Sequence, residues 1–464
     1  MVFSNLLFLC LFLPAVLFVY YTVRKELQNI VLLLFSLLFY AWGEPIYVFL
    51  MLFSIFINYW FGIWLAKERA TILSRKMLLT LAIIINTAIL GYFKYANFLI
   101  DNINTMFHTN IVLEKIPLPI GISFFTFHAM SYIIDIYKKK VDAQRNIFDL
   151  ALYFTLFPQL VAGPIVRYNT ISHQLHIRTV DADKFSEGVR RFIIGLGKKV
   201  LIANQLGAIA DEIFAMDPAT MSVSTAWIGA IAYTLQIYFD FSGYSDMAIG
   251  LGKMFGFDFL ENFNYPYISK SISEFWRRWH ISLGSWFRDY VYIPLGGNRV
   301  SSWKVYRNLF IVWALTGFWH GASWTFMIWG IYYGCLIALE KAGFEKVLQN
   351  MWRPVQHVYV MFLVIIGWVF FRADNFAYCF EFLQTMFGIN GPLTDIKSYF
   401  YVMNYWGIFL LAIVTSAPIF SLLKTMLSTK RIVILSPLYY LSVLIIVMMY
   451  LTNATYNPFI YFRF

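Results

Sequence analysis

Leu309-Phe-Ile-Val-Trp-Ala-Leu-Thr-Gly317-Phe-Trp-His320-Gly321-Ala-Ser-Trp-Thr-Phe-Met-Ile-Trp-Gly330 contains one side chain, His320, that can gain or lose a proton near neutral pH. The run continues to Leu339 and adds only Cys335 and tyrosines as weak acids. At about 20 apolar residues per bilayer crossing, such a stretch reads as helix in hydrocarbon. The same reading extends along the chain. Apolar runs separated by charged breaks fall near residues 2–23, 27–43, 45–66, 77–93, 119–137, 147–165, 191–210, 224–252, 309–339, 356–371, 404–423 and 432–452. The expected fold is all-α, a single polytopic transmembrane helical bundle of about 10–12 spans with re-entrant or interfacial helices.

Composition agrees. Of 464 residues, 60% are hydrophobic, 20% aromatic and 13% charged, where a soluble chain carries roughly 25% charged residues. A water-soluble globular enzyme is excluded. Basic residues exceed acidic ones by 36 to 25, a net charge of +11. They cluster between apolar runs, at Arg24-Lys25, Lys67 to Lys76, Lys138 to Lys140 and Lys424 to Arg431. That placement suits cytoplasmic loops facing anionic lipid headgroups, and no nucleic-acid module is suggested. Counting crossings with basic loops inside puts both termini outside the cytoplasm. Met1 to Val23 lacks a basic leading segment and reads as a retained anchor helix. Cys10, Cys335 and Cys379 lie in apolar stretches without metal-type spacing, and they read as packing residues.

Residues 253–308 are of another kind: aromatic, basic, with Asn, Pro and Gly and no clean span. Irregular backbone at membrane depth must be buried in protein or line a wet cavity, so a site is expected here. Within it stands Ser271-Ile-Ser-Glu-Phe-Trp-Arg-Arg-Trp-His280-Ile-Ser-Leu-Gly-Ser-Trp-Phe-Arg288. Ser271 and Glu274 have capping-box spacing and start a helix. If that helix is unbroken, Arg277, His280, Gly284 and Arg288 share one face and Trp276, Trp279, Leu283 and Trp286 another. Two readings stay open: an interfacial helix with arginines on lipid phosphates, or a basic stripe facing a cavity that holds an anionic donor, with Gly284 leaving room for it.

His320 is the second unusual histidine. An ionisable group in an apolar span is costly and normally faces the bundle interior. Burial disfavours imidazolium, leaving the neutral ring that a general base needs. Gly317 and Gly321 permit close approach of another helix or a substrate. The alternative is a buried histidine satisfied by a neighbouring carbonyl or hydroxyl; a metal is disfavoured, since no local HxxxH or carboxylate pattern accompanies it. His108, His128, His173, His176 and His357 read as residues of loops or helix ends with structural roles.

Further blocks carry a family resemblance. Pro119-Ile-Gly-Ile-Ser-Phe-Phe-Thr-Phe127, Pro158-Gln-Leu-Val-Ala-Gly-Pro-Ile165 and Gln236-Ile-Tyr-Phe-Asp-Phe-Ser-Gly-Tyr-Ser-Asp246 come first. Asn262-Phe-Asn-Tyr-Pro266, Phe275-Trp-Arg-Arg-Trp-His280, Tyr292-Ile-Pro-Leu-Gly-Gly297 and Gly317-Phe-Trp-His320-Gly321 follow. In this order they resemble the membrane-bound O-acyltransferases, and among them the bacterial alginate and peptidoglycan O-acetyltransferases. Residues 1–464 then form one integral membrane acyltransferase domain, with its core at about 40–375 and final spans and aromatic tail at 376–464.

The resemblance implies transfer of an acetyl group from a cytoplasmic thioester, acetyl-coenzyme A or an acyl carrier protein, to a cell-surface polysaccharide beyond the bacterial cytoplasmic membrane. An extracytoplasmic SGNH-type transferase is the implied partner, alongside membrane lipids, and no bound cofactor or metal is implied. The family's catalytic histidine matches His320. Its second polar position, asparagine in some branches and histidine in this one, matches His280. On chemical grounds His320 is expected to be the base, and His280 to orient the thioester or stabilise the oxyanion. Arg277 and Arg288 are candidates for donor phosphates. Asp240 and Asp246 either orient or hydrate the site or serve helix packing with a paired arginine. The terminal Asn457-Pro-Phe-Ile-Tyr461-Phe-Arg-Phe464 resembles an aromatic motif whose tyrosine relays the acyl group, which makes Tyr461 a candidate relay; an aromatic belt ending the last helix would look similar. The competing functions are a transporter or flippase and a non-catalytic scaffold for a glycan-modifying complex.

Overall fold

The computed structural model describes residues 2–67, 71–419, 425, 429–453, 456–458 and 460, and among them every regular element is helical. Seven helices in these residues are long and apolar enough to cross a bilayer: Lys25–Gly43, Tyr47–Leu65, Ser74–Phe107, Ala182–Phe214, Arg353–Arg372, Ile396–Thr415 and Leu435–Asn453. The other expected runs are helical too, but differ in kind. Residues 119–137 give the shorter helix Ile122–Tyr137, and residues 224–252 the 32-residue Val223–Met254, which carries Asp240, Asp246 and Lys253.

The chain divides into two units. The first comprises Met1–Phe192 with Met247–Leu260. Leu34, Phe49, Phe53 and Ile84 on its spans are exposed, the arrangement expected where hydrocarbon replaces water as solvent. Its helices meet through small and polar residues. Asn58 and Asn86 exchange side-chain hydrogen bonds of 3.0 and 2.9 Å, and Gly62 lies so near Tyr132 that a Cβ there would stand 2.5 Å from its hydroxyl. Such contacts substitute for the hydrophobic drive that lipid removes.

The second unit comprises Ile193–Asp246 with Glu261–Phe464. Here the 309–339 run does not form one crossing. It breaks after His320 into Ser302–His320 and Trp324–Leu339, a correction to the single apolar run. Gly321 is extended (φ −168°, ψ 156°), and the Ser323 hydroxyl accepts the Thr325 N–H at 3.3 Å, starting the second helix. The two helices fold against each other through glycine. A Cβ on Gly317 would stand 2.4 Å from the Phe326 carbonyl oxygen, and one on Gly330 2.4 Å from that of Trp313. Residues 261–300 are short helices and turns, with Asn262 and Ser269 fully buried, as the irregular composition led one to expect.

Overpacking this contact is expected to cost about 1–3 kcal/mol. Gly317→Ala or Gly330→Ala should lower the thermal unfolding midpoint of the purified protein in detergent. Gly91→Ala, where nothing lies within 4 Å of the added Cβ, should leave it unchanged.

Candidate active site

The site is built from the second unit, starting at the short helix Ile272–Arg278. Ser271 Oγ accepts the Glu274 N–H at 3.0 Å, and Glu274 Oε2 accepts that of Lys270 at 2.9 Å. The buried carboxylate of Glu340 accepts the N–H groups of Ile272 and Ser273 at 2.6 and 2.9 Å. These acceptors satisfy the helix's free amide groups and oppose its positive end. The helix then stops. The Arg278 carbonyl accepts the Asn264 N–H, and the Ile281 N–H goes to the Asn262 carbonyl, each at 2.9 Å. These two bonds turn the chain out of its helical path, and His280 takes a left-handed conformation with φ 45°. A second short helix, Ile281–Phe287, follows. The continuous helix expected over 271–288 therefore does not form, and Arg277, His280, Gly284 and Arg288 do not share one helical face.

His280 is buried and held by a specific acceptor. Asn262 Oδ1 receives the Ser282 N–H at 3.1 Å and its hydroxyl at 2.8 Å, and stands 3.1 Å from His280 Nδ1. A backbone N–H can only donate, so the Asn262 atom is the amide oxygen and Nδ1 carries a proton toward it. In the neutral ring Nε2 is then a bare lone pair. It is buried and has no hydrogen-bond partner among the described residues. The edge of Phe241 closes one side, with ring centroids 4.6 Å apart at 90°.

His320 ends the helix Ser302–His320, with 4% of its surface exposed. Trp319, Trp329 and Phe371 surround it at centroid distances of 4.9, 5.0 and 5.2 Å. Trp319 also faces the His280 ring at 6.3 Å, so one indole adjoins both imidazoles. Phe371 has a second role as part of the lining of a cavity of about 170 Å³ that includes Gln236, Arg372, Pro458 and Ile460. Gln236 Oε1 is buried without a hydrogen-bond partner among the described residues.

The remaining candidates divide. Asp240 and Asp246 pair with lysines: Lys199 Nζ lies 2.6 Å from Asp240 and Lys198 Nζ 2.7 Å from Asp246. Asp240 and Lys199 are almost wholly buried. Arg277 is exposed and Arg288 is exposed and paired with Asp289 at 2.7 Å, so neither is drawn into the ring cluster. Tyr461 lies outside the described residues. Gly317 and Gly321 serve helix approach, both against Phe326, whereas Gly284 is exposed with only the Trp276 carbonyl within 4 Å of a Cβ. His128, expected in a loop or helix end, sits mid-helix in Ile122–Tyr137, fully buried beside Tyr153. Cys379 is buried, while Cys10 and Cys335 are exposed. Among the described residues no group of three His, Cys, Asp or Glu side chains could hold a metal ion.

Asn262, Ser282, Glu340 and Lys199 are the residues sequence reasoning passed over. Only Lys199 carried a local signal, as a lysine within an apolar run that must find a counter-charge.

Comparison with known proteins identifies the family. A probable alginate O-acetylase of Azotobacter vinelandii is 47% identical over 403 residues, covering 86% of this chain and 80% of that protein. A peptidoglycan O-acetyltransferase of Helicobacter pylori is 36% identical, covering 84% and 80% respectively. A teichoic acid D-alanyltransferase of Bacillus subtilis is 28% identical, covering 55% and 69%. The sequence model that matches residues 3–383 describes the membrane-bound O-acyltransferases, and the chain belongs to that family of membrane enzymes.

Proposed function

We propose that this O-acyltransferase moves acetyl from a cytoplasmic thioester across the bacterial cytoplasmic membrane toward an extracytoplasmic polysaccharide, alginate or a related cell-surface glycan. The similarity to alginate and peptidoglycan O-acetylating enzymes supports the acyl group and acceptor class. The basic loops support an orientation with both termini outside. Acetyl-coenzyme A or an acyl carrier protein is the donor, and an extracytoplasmic SGNH-type transferase the partner that completes delivery.

The observation that carries the reading is the pair of buried imidazoles flanking Trp319. His320 is the general base: it takes the proton of the attacking hydroxyl as that oxygen bonds to the thioester carbonyl carbon. Collapse of the tetrahedral intermediate breaks the carbon–sulfur bond, and the proton passes to the departing thiolate. His280, with Nδ1–H directed at Asn262, offers Nε2 as an acceptor and so orients a hydroxyl; only as imidazolium could it donate to an oxyanion. The aromatic box around His320 excludes water that would otherwise hydrolyse the thioester. Asp240 and Asp246 act through their lysines, and Arg277 and Arg288 stand where they can meet phosphates of a donor arriving from solvent. Tyr461 is the relay that carries acetyl away as an ester on its phenolic oxygen.

His320→Ala should lower acetyl transfer by about 10²–10⁴-fold while expression, detergent elution profile and partner co-purification stay intact. Retained transfer would sink the enzymatic assignment of this ring, and loss of partner binding with normal acetylation would favour a scaffold. Asn262→Ala should reduce kcat by about 10²-fold through misplacement of the ring, with little change in donor KM. Incubation with isotopically labelled acetyl-coenzyme A should put label on Tyr461 in the carboxyl-terminal peptide by mass spectrometry, and Tyr461→Phe should abolish it.

A further inference from the structure

The last described residues of the chain do not hang free. The Lys199 ammonium donates to the Pro458 carbonyl and is ion-paired to Asp240 Oδ1 at 2.6 Å. Asp240 Oδ2 in turn accepts the Ile460 N–H at 3.1 Å. One buried ion pair thus grips the tail twice, by one carbonyl and one amide. Two outer contacts continue the grip: Asn204 Nδ2 donates to Asn457 Oδ1 at 3.3 Å, and the Tyr456 hydroxyl donates to Asp211 Oδ2 at 2.5 Å. Asp211 is itself fixed by Arg372 at 2.9 Å. Gly207 makes room, since a Cβ there would stand 3.2 Å from the Tyr456 hydroxyl.

Energetics make this more than packing. A buried ion pair is costly to desolvate and stabilises little unless its remaining donors and acceptors are filled. Here main-chain groups 259 and 220 positions away in sequence fill them. An apolar pair of similar volume would hold these helices together as well; what it could not do is bind a strand of backbone at a defined register. The gripped residues line the same cavity as Phe371, whose ring adjoins His320.

We infer that Lys199 and Asp240 are positioning residues whose buried ion pair seats the carboxyl-terminal tail, by its Pro458 and Ile460 main chain, along the cavity beside Phe371. The inference rests on the acyl-transfer reading above and adds to it that the tail is a fixed component of the catalytic unit. It assigns Asp240 to the tail and not to the donor.

The test uses the full-length protein in detergent with two readouts, amide hydrogen exchange of the tail peptide and acetyl transfer. Because removing one partner strands a buried charge, the informative variant is the double substitution Lys199→Met with Asp240→Leu, which removes both. Expected are at least a tenfold rise in exchange at residues 456–460 and at least a tenfold fall in kcat, with donor KM unchanged. Ile460→Pro, which removes the amide that Asp240 accepts together with the buried Ile460 side chain, should do the same in part while leaving the ion pair intact, and keeps the test valid if the double variant does not fold. Lys199→Arg should restore much of both. Wild-type exchange in the double variant, or a loosened tail with undiminished turnover, overturns the inference. His320→Ala separates the two claims: it should abolish transfer and leave tail exchange untouched, so failure of the acyl-transfer reading would show there and not in the exchange data.

Discussion

Hydrocarbon offers no hydrogen bonds, and a polar group that this chain buries is costly unless it finds its complement within the protein. That constraint shapes each part of the second unit. Glu340 is spent on the amide groups that begin Ile272–Arg278. Asn262 gathers the amide and hydroxyl of Ser282 and the proton of His280 on one oxygen. Lys199 and Asp240 neutralise one another and use their remaining valences on main chain. Among the described residues the buried Nε2 of His280 and Oε1 of Gln236 have no hydrogen-bond partner, as is true of several other buried polar atoms. A buried acceptor without a partner costs about 1–3 kcal/mol, and a hydroxyl donated to either atom would recover part of that cost.

The same economy explains why His320 sits where it does. Its helix is held close against Trp324–Leu339 by backbone contact at Gly317 and Gly330, and the ring stands at the end of that contact. Its walls are aromatic: Trp319, Trp329 and Phe371. A ring so placed is held in one orientation by its aromatic neighbours, which an exposed loop histidine would not be.

How much of this was legible in the sequence follows from how local each feature is. The helical, membrane-embedded character is a property of windows of about 20 residues and reads directly from the apolar runs. The importance of His320 reads from its isolation in such a run. The break at His280 does not, because it depends on hydrogen bonds to Asn262 and Asn264, which lie outside the helix whose periodicity was being counted. The hairpin in 309–339 was hidden for a related reason: Gly321 and Ser323 are unremarkable among so many apolar neighbours, and length alone cannot tell one long crossing from two helices packed face to face. Lys199 sits in Gly195-Leu-Gly-Lys-Lys199, within the apolar run near 191–210. A lysine in such a run needs a counter-charge, but which of Asp240 and Asp246 meets Lys199 depends on how two distant helices pack.

The left-handed backbone at position 280 constrains what evolution can place there. Few side chains with a Cβ tolerate φ 45°; asparagine, aspartate and histidine are the ones enriched in that region. Of these, only asparagine and histidine combine an uncharged polar tip with the required turn. An interchange between the two across branches of the family would then be a substitution that main chain and chemistry both accept, whereas leucine or alanine would add a conformational cost of about 1–2 kcal/mol to the loss of the polar tip.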